Sequence, residues 1–183
     1  MDSLRAHLLI AVPQLPDKNF YRTVVLVIQH DDEGAFGVVL NRPSNLTVSN
    51  FWSKFGETPC DNPSPINVGG PVQGPLIAVH TDVSLSENEI FPDVYFAAQM
   101  ENLDQLVRQQ QKPFLVFSGY SGWAGGQLES EVEAGGWLIT PATYEYVFSD
   151  DDDLWKSVAS DIGLDIMMQD MGIKDSPGDP SMN

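Results

Sequence analysis

Basic residues are scarce in this chain. Nine lysines and arginines stand against 26 aspartates and glutamates, for a formal net charge of -17 over 183 residues. Affinity for nucleic acid rests on lysine and arginine displacing counterions from phosphates, so direct nucleic-acid binding is disfavoured and no basic stripe can be drawn. Cysteine occurs once, at Cys60, which excludes an internal disulfide and suits a reducing, cytoplasmic setting. Its neighbours Glu57 and Asp61 are acidic, the opposite of what activates a thiol. No apolar run approaches the roughly 20 residues that span a bilayer, and the opening stretch MDSLRAHLLIAVPQLP lacks a basic region and a small-residue cleavage site. No membrane association is expected.

What is present suits one domain. At 42% hydrophobic and 10% aromatic the chain can fill a core. Residues 1–166 read as a single α/β (α+β) unit and 167–183 as an acidic, methionine- and proline-rich tail. The compact run His7–Val12 reads as a buried strand. Arg22–Gln29 and Phe36–Asn41, separated by Asp31-Asp-Glu-Gly34, read as a hairpin, the first strand apolar almost throughout as for one covered on both faces. Pro43 closes it. Asn50–Phe55 predicts a short helix capped by Thr47 or Ser49; Gly56–Pro65 predicts a loop, and Asn67–Val72 a tight bend. Pro75–Thr81 and Val94–Gln99 read as strands around a loop at Asp82–Pro92. Glu101–Gln111 carries Leu103, Leu106 and Val107 at helical spacing. Phe114–Phe117 predicts a strand, Gln127–Ala134 a helix with Leu128 and Val132 inward, and Trp137–Thr140 a strand stopped by Pro141. Asp150–Asp153 places four carboxylates at a helix N-terminus, where the backbone dipole favours them. Strands outnumber helices and the early ones form a hairpin, so a mixed, mainly antiparallel sheet flanked by helices is expected rather than a doubly wound one.

The stretch VFSGYSGWAGGQLESEVEAGGW (116–137) concentrates the candidate chemistry. Gly119-Tyr-Ser121-Gly122 approaches a nucleophile elbow, but Trp123 stands where that motif needs glycine. The glycines between strand and helix set a scene for anion binding. However, no Walker lysine is present, and Glu129, Glu131 and Glu133 crowd the helix. His80-Thr-Asp82 could begin a metal site, yet the remaining histidines, His7 and His30, lie upstream on other strands; a hydrogen-bonded structural histidine is the simpler reading. No metal or cofactor is expected. Tyr120, Trp123 and Trp137 could anchor a protein partner or plug one end of the sheet, and both remain open. Glu129, a carboxylate beside aromatics, is the residue expected to be partly buried with a shifted pKa.

Three stretches, HLLIAVPQLPDKNFYRTVVLVIQHDDEGAFGVVLNRP (7–43), VGGPVQGPLIAVHTD (68–82) and FSGYSGWAGGQLESEVEAGGWL (117–138), resemble the YqgE/AlgH family in order, the likeness covering at least residues 6–164. The resemblance implies a compact β-core flanked by helices and, from the family name, a regulator of transcription in bacteria; it implies no catalytic activity or cofactor. The matching positions include Asn41, Arg42, Pro43, Gly70, Pro71, Val72, His80, Gly119, Gly122, Trp123, Gly126, Gln127, Leu128, Glu129, Glu131 and Trp137. Where the family often has tryptophan-glycine-proline-glycine-glutamine, this chain has Trp123-Ala-Gly-Gly126-Gln127.

The resulting expectation is a cytoplasmic, non-enzymatic regulatory protein that acts through an unidentified protein partner. Its candidate surface comprises Asn41, Arg42, His80, Tyr120, Ser121, Trp123, Gln127, Glu129 and Trp137. The alternative is a small-molecule binder or hydrolase whose pocket is bounded by His80, Ser121 and Glu129.

Overall fold

The computed structural model describes residues 1–110 and 113–163. The expected acidic tail lies outside them, as does Gln111 at the end of one expected helix. Eleven strands occur among the described residues: β1 His7–Ala11, β2 Val24–Asp31, β3 Gly34–Val39, β4 Pro43–Thr47, β5 Pro65–Val68, β6 Ile77–His80, β7 Asn88–Phe91, β8 Val94–Ala97, β9 Phe114–Ser118, β10 Ser121–Ala124 and β11 Trp137–Pro141. The helices are α1 Val48–Phe55, α2 Met100–Val107, α3 Gln127–Glu133, α4 Tyr144–Val147 and α5 Leu154–Asp161.

The strands form two sheets, one ordered β10-β3-β2-β1-β11 and the other β4-β5-β9-β6-β8-β7. Every strand pairing is antiparallel except β5 with β9. Alternation along the strands sorts the apolar side chains into layers. Leu8, Ile10, Val24, Leu26 and Val38 of the first sheet meet Ile77, Val79, Val94 and Phe117 of the second in an inner core, closed by Leu154, Trp155 and Val158 of α5. The opposite faces carry their own clusters. Leu9, Val25, Val27 and Val39 pack with Phe20, Trp123, Leu128 and Trp137 outside the first sheet. Ala78, Ala97 and Val116 pack with Val48, Trp52, Leu103 and Leu106 outside the second. Both faces of β1 and β2 are buried over Leu8–Ala11 and Val24–Ile28, which is why those stretches are apolar throughout rather than alternating.

The hairpin spans β2 and β3, and α1 is capped by Thr47, whose side chain accepts from the Asn50 amide. Asp153 does the same for α5, accepting from Lys156 N–H. The expected single sheet is thus two stacked sheets. Several stretches prove to be strands: β4 at Pro43–Thr47, where no element is expected, β5 within the expected loop and bend, β7 within the expected loop at 82–92, and β10 within the glycine turn. Pro141 ends β11 from inside it, paired with His7.

A corner joins the sheets. β9 belongs to one sheet and β10 to the other, so Gly119-Tyr120 carries the chain across. There Gly69 N–H donates to Ser118 O, Val39 N–H donates to Gly69 O, and Val72 and Tyr120 exchange backbone bonds at 3.0 Å. Gly70 has φ +157, and a Cβ added to it would sit 2.2 Å from Tyr120 backbone atoms. The sequence pairs glycines at this crossing because the two chain segments touch backbone to backbone.

Candidate functional site

Beyond the corner the 116–137 stretch closes over the outer face of the first sheet. β10 pairs with β3, α3 follows, and β11 returns beside β1. Trp123 and Trp137, from strands at opposite edges of that sheet, meet with ring centroids 6.2 Å apart at 75°. Phe20 packs against both, 5.9 Å from Trp123 and 5.3 Å from Trp137. Both indole N–H groups donate to one atom, Glu131 Oε2, each at 2.9 Å. Glu131 Oε1 accepts from Gln127 Nε2 at 3.0 Å, and Gln127 Oε1 accepts from the Ala124 amide. A single carboxylate of α3 thereby satisfies two indoles that could not otherwise be buried without loss.

The indoles are only 6% and 3% exposed. Of the two readings left open for them, the structure places them in the core, and a partner cannot grip them there. Ser121 is fully buried and its Oγ donates to Gly69 O at 3.1 Å, so its hydroxyl faces the corner rather than solvent. Tyr120 is half-buried and packs edge-on against Phe36. Asn41 bridges strand ends, accepting from Val24 N–H and donating to Arg22 O. Arg42 donates to the carbonyls of Asn19 and Tyr21.

Glu129 is tied to His30. The ring Nε2 lies 2.8 Å from Glu129 Oε1, and the ring Nδ1 accepts the Leu4 amide at 2.8 Å. Because Nδ1 receives an N–H, the proton of the neutral ring sits on Nε2 and is donated to Glu129. The Glu129 carboxyl is held below its ordinary range, first by its own backbone N–H and then by His30. Both ring nitrogens are thus engaged, so the pair as it stands has no free base. A β-bulge between Val27 and Gln29 aims the ring. Ile28 faces the inner core, whereas His30, paired with Ala35, faces outward toward α3. Strict alternation would have turned His30 inward, which is why spacing alone did not reveal this partner.

His80 lies elsewhere. It is fully buried on β6, paired with Phe114 and Tyr95, and its Nδ1 accepts the Asp82 amide. Asp82 accepts from Gln109 Nε2 at 2.6 Å, beyond the end of α2. Phe114 packs with the cluster outside the second sheet, so His80 and Glu129 stand on opposite outer faces of a double layer in which the sheets alone are about 10 Å apart. The expected pocket bounded by His80, Ser121 and Glu129 does not form, because the two sheets intervene.

Two grooves among the described residues lie away from the indole clasp, Ser121, the His30–Glu129 pair and His80. One, of about 610 Å³, runs between the 59–64 loop and residues following α2. The other, of about 400 Å³, lies between Asn41, Asn67, Val147 and Asp150–Asp152. Of the candidate residues, it includes Asn41. No helix among the described residues is long and apolar enough to cross a membrane, and no group of three or more potential metal-ligating side chains occurs among them.

Architecture and corner together define a single-domain, two-sheet α/β protein closed by a carboxylate–indole clasp. A family model described as AlgH-like matches residues 8–167, and the chain belongs to that family. It is 35% identical to a UPF0301 protein of Thermobifida fusca over 99% of this chain and 96% of that one. It is also 35% identical to one of Chlamydia caviae, over 87% and 86%. Its fold is similar to the solution structure of the AlgH protein from Pseudomonas aeruginosa, with a TM-score of 0.74, 25% identity and 96% of each chain covered. The YqgE/AlgH resemblance and the helix-flanked, mainly antiparallel β-core are therefore both established.

Proposed function

We propose that this protein is a non-enzymatic, cytoplasmic regulatory protein that works by contact with another protein rather than with DNA. The observation that carries the reading is the commitment of the 116–137 stretch to the fold. The Ser121 hydroxyl, both indole N–H groups, and the carboxylates of Glu129 and Glu131 are all bonded within the chain. The surface, by contrast, presents large apolar side chains within a strongly acidic molecule. Phe55, at the end of α1, is 69% exposed with its ring 4.9 Å from Phe51, and Tyr21 and Tyr144 are also exposed. Exposed aromatics with a second ring behind them are the anchors that partner surfaces use. The net charge of -17 favours a partner with a basic surface and opposes phosphate backbones. Regulation of transcription, implied by the family name, would then pass through that partner.

The test is in-cell crosslinking with mass spectrometry on the wild type and on Phe55→Asp, Tyr21→Asp and Tyr144→Asp. One crosslinked protein lost in at least one variant that folds normally is the supporting result. Turnover of an ester or phosphoester by the purified wild type, with crosslinks unchanged in all three variants, would overturn the reading.

A further inference from the structure

His30 is a buried titratable group to which the proposed partner contact gives no task. Its side chain is 4% exposed, and each ring nitrogen has one partner of fixed character. A backbone amide can only donate, so the Leu4 N–H requires Nδ1 to be a bare lone pair. Ser3 and Leu4 bond to this one ring and its backbone, whereas Arg5 donates to Glu89 O and Ala6 N–H to Val27 O. Leu4 is buried in the cluster with Trp123 and Leu128, and Ser3 Oγ donates to His30 O at 2.9 Å. The His7 amide in turn donates to Leu4 O, and Ala6 bends at φ +62.

We propose that His30 is a proton-operated latch: protonation at Nδ1 expels the Leu4 amide, frees residues 1–4 from the outer face of the first sheet and uncovers the apolar ground beneath Leu4. The proton arrives on Nδ1 because Nε2 already carries one. Two N–H groups then oppose each other at a spacing that held a hydrogen bond, and the segment that can move is the short one, since the ring is held by the bulge and by Glu129. The imidazolium keeps its Nε2–H bond to Glu129, now as a charge-assisted pair. The charged and titratable groups facing the ring and the segment are the Glu129 carboxylate on α3, the Asp31 carboxylate next along β2, the N-terminal ammonium, which acts on Glu129, and His7, whose Nδ1 lies 3.0 Å from Arg5 O. Asp2 and Arg5 flank Leu4 on the segment itself. Acid thus loosens one edge of the molecule while α3 stays fastened, a local opening rather than global unfolding.

The experiment is amide exchange by NMR on the full chain between pH 8 and pH 5, with the ring nitrogens of His30 followed in the same samples. Leu4 protection is expected to fall at least tenfold as the His30 ring takes up its proton, while the Val25 amide in the middle of β2 keeps its protection. His30→Gln cannot be charged in this range, and its Leu4 protection is expected not to follow that transition. Leu4 protection that stays constant while the His30 ring titrates would overturn the proposal. An equal acid loss in His30→Gln, which would assign the change to His7, the N-terminal amine or the carboxylates, would overturn it too. Should His30→Gln fail to fold, the comparison of Leu4 with Val25 in the wild type still decides.

Discussion

The indole N–H of Trp123 and that of Trp137 end on the same oxygen, Glu131 Oε2, at 2.9 Å each. Two residues 14 positions apart, from strands at opposite edges of one sheet, are therefore held by one side chain of the short helix between them. A hydrogen bond to a charged group contributes about 1.5–3 kcal/mol, and a buried donor left without a partner costs about 1–3 kcal/mol. Glu131→Leu removes the acceptor from both indoles and is expected to lower unfolding free energy by about 3 kcal/mol in urea titrations. Glu131→Gln keeps a neutral oxygen with two lone pairs for the two indoles and, lacking the charge, is expected to cost about half as much. Midpoints of both variants equal to that of the wild type would show that these bonds do not contribute.

The corner between the sheets predicts a sharper effect. Gly70 stands at φ +157 with the Tyr120 backbone where a Cβ would be, at 2.2 Å. Gly70→Ala must displace backbone, not a flexible side chain, and lacks a relaxed conformation there. Loss of about 3 kcal/mol or more is expected, with the Val72–Tyr120 amides losing exchange protection first. By contrast Gly126→Ala, where nothing lies within 4 Å of the added Cβ, carries only the left-handed backbone penalty of about 1–2 kcal/mol.

This contrast also marks how far the chain could be read before its structure was known. The β2–β3 hairpin, α2 and α5 were legible because their apolar spacing or their turn and cap residues are local signals. β4 and β10 were not. SGWA and PSNLT have weak strand preference and become strands because β3 and β5 offer them edges, which is tertiary context overriding propensity. The division into two sheets was hidden for a related reason: strands buried on both faces lose the alternation that would show which side faces what. Glu129 was picked out as a carboxylate with a shifted pKa, and the shift is downward. Its partner His30 was missed because a bulge at Val27–Gln29 reverses the face on which it emerges.

Acid should weaken the fold through two identifiable carboxylates. Glu129 is held below the ordinary glutamate range by its own backbone N–H and then by His30. Asp104 is held below 3.8 by bonds from Arg108 and then from Trp52 Nε1. A depressed folded-state pKa means the unfolded chain takes up protons first, so each group's stabilisation is present above its unfolded value and lost as pH falls through the folded one. Urea midpoints are expected to be flat with respect to these two groups above about pH 5 and to decline from about pH 4.5 downward. Asp104→Asn should reduce that decline, and an unchanged pH profile in this variant would count against Asp104 as a source.

Ser121 separates a structural hydroxyl from a reactive one. It is fully buried and donates to Gly69 O, the same carbonyl that accepts the Val39 amide. Ser121→Ala removes the donor but leaves that carbonyl its backbone partner, so the cost should stay near 1 kcal/mol by thermal or urea denaturation. Ser121→Val must fit two methyl carbons where one oxygen stood, against a corner where backbones already touch, and overpacking of that kind costs about 1–3 kcal/mol. A nucleophile would rank the variants differently: alanine and valine would abolish turnover alike, and a fluorophosphonate probe would label the wild type. The burial of the hydroxyl predicts no labelling of the folded protein and a stability order of wild type above alanine above valine. A stoichiometric adduct on Ser121 under native conditions would mean that the corner opens, and the serine would then belong to a site rather than to the seam between two sheets.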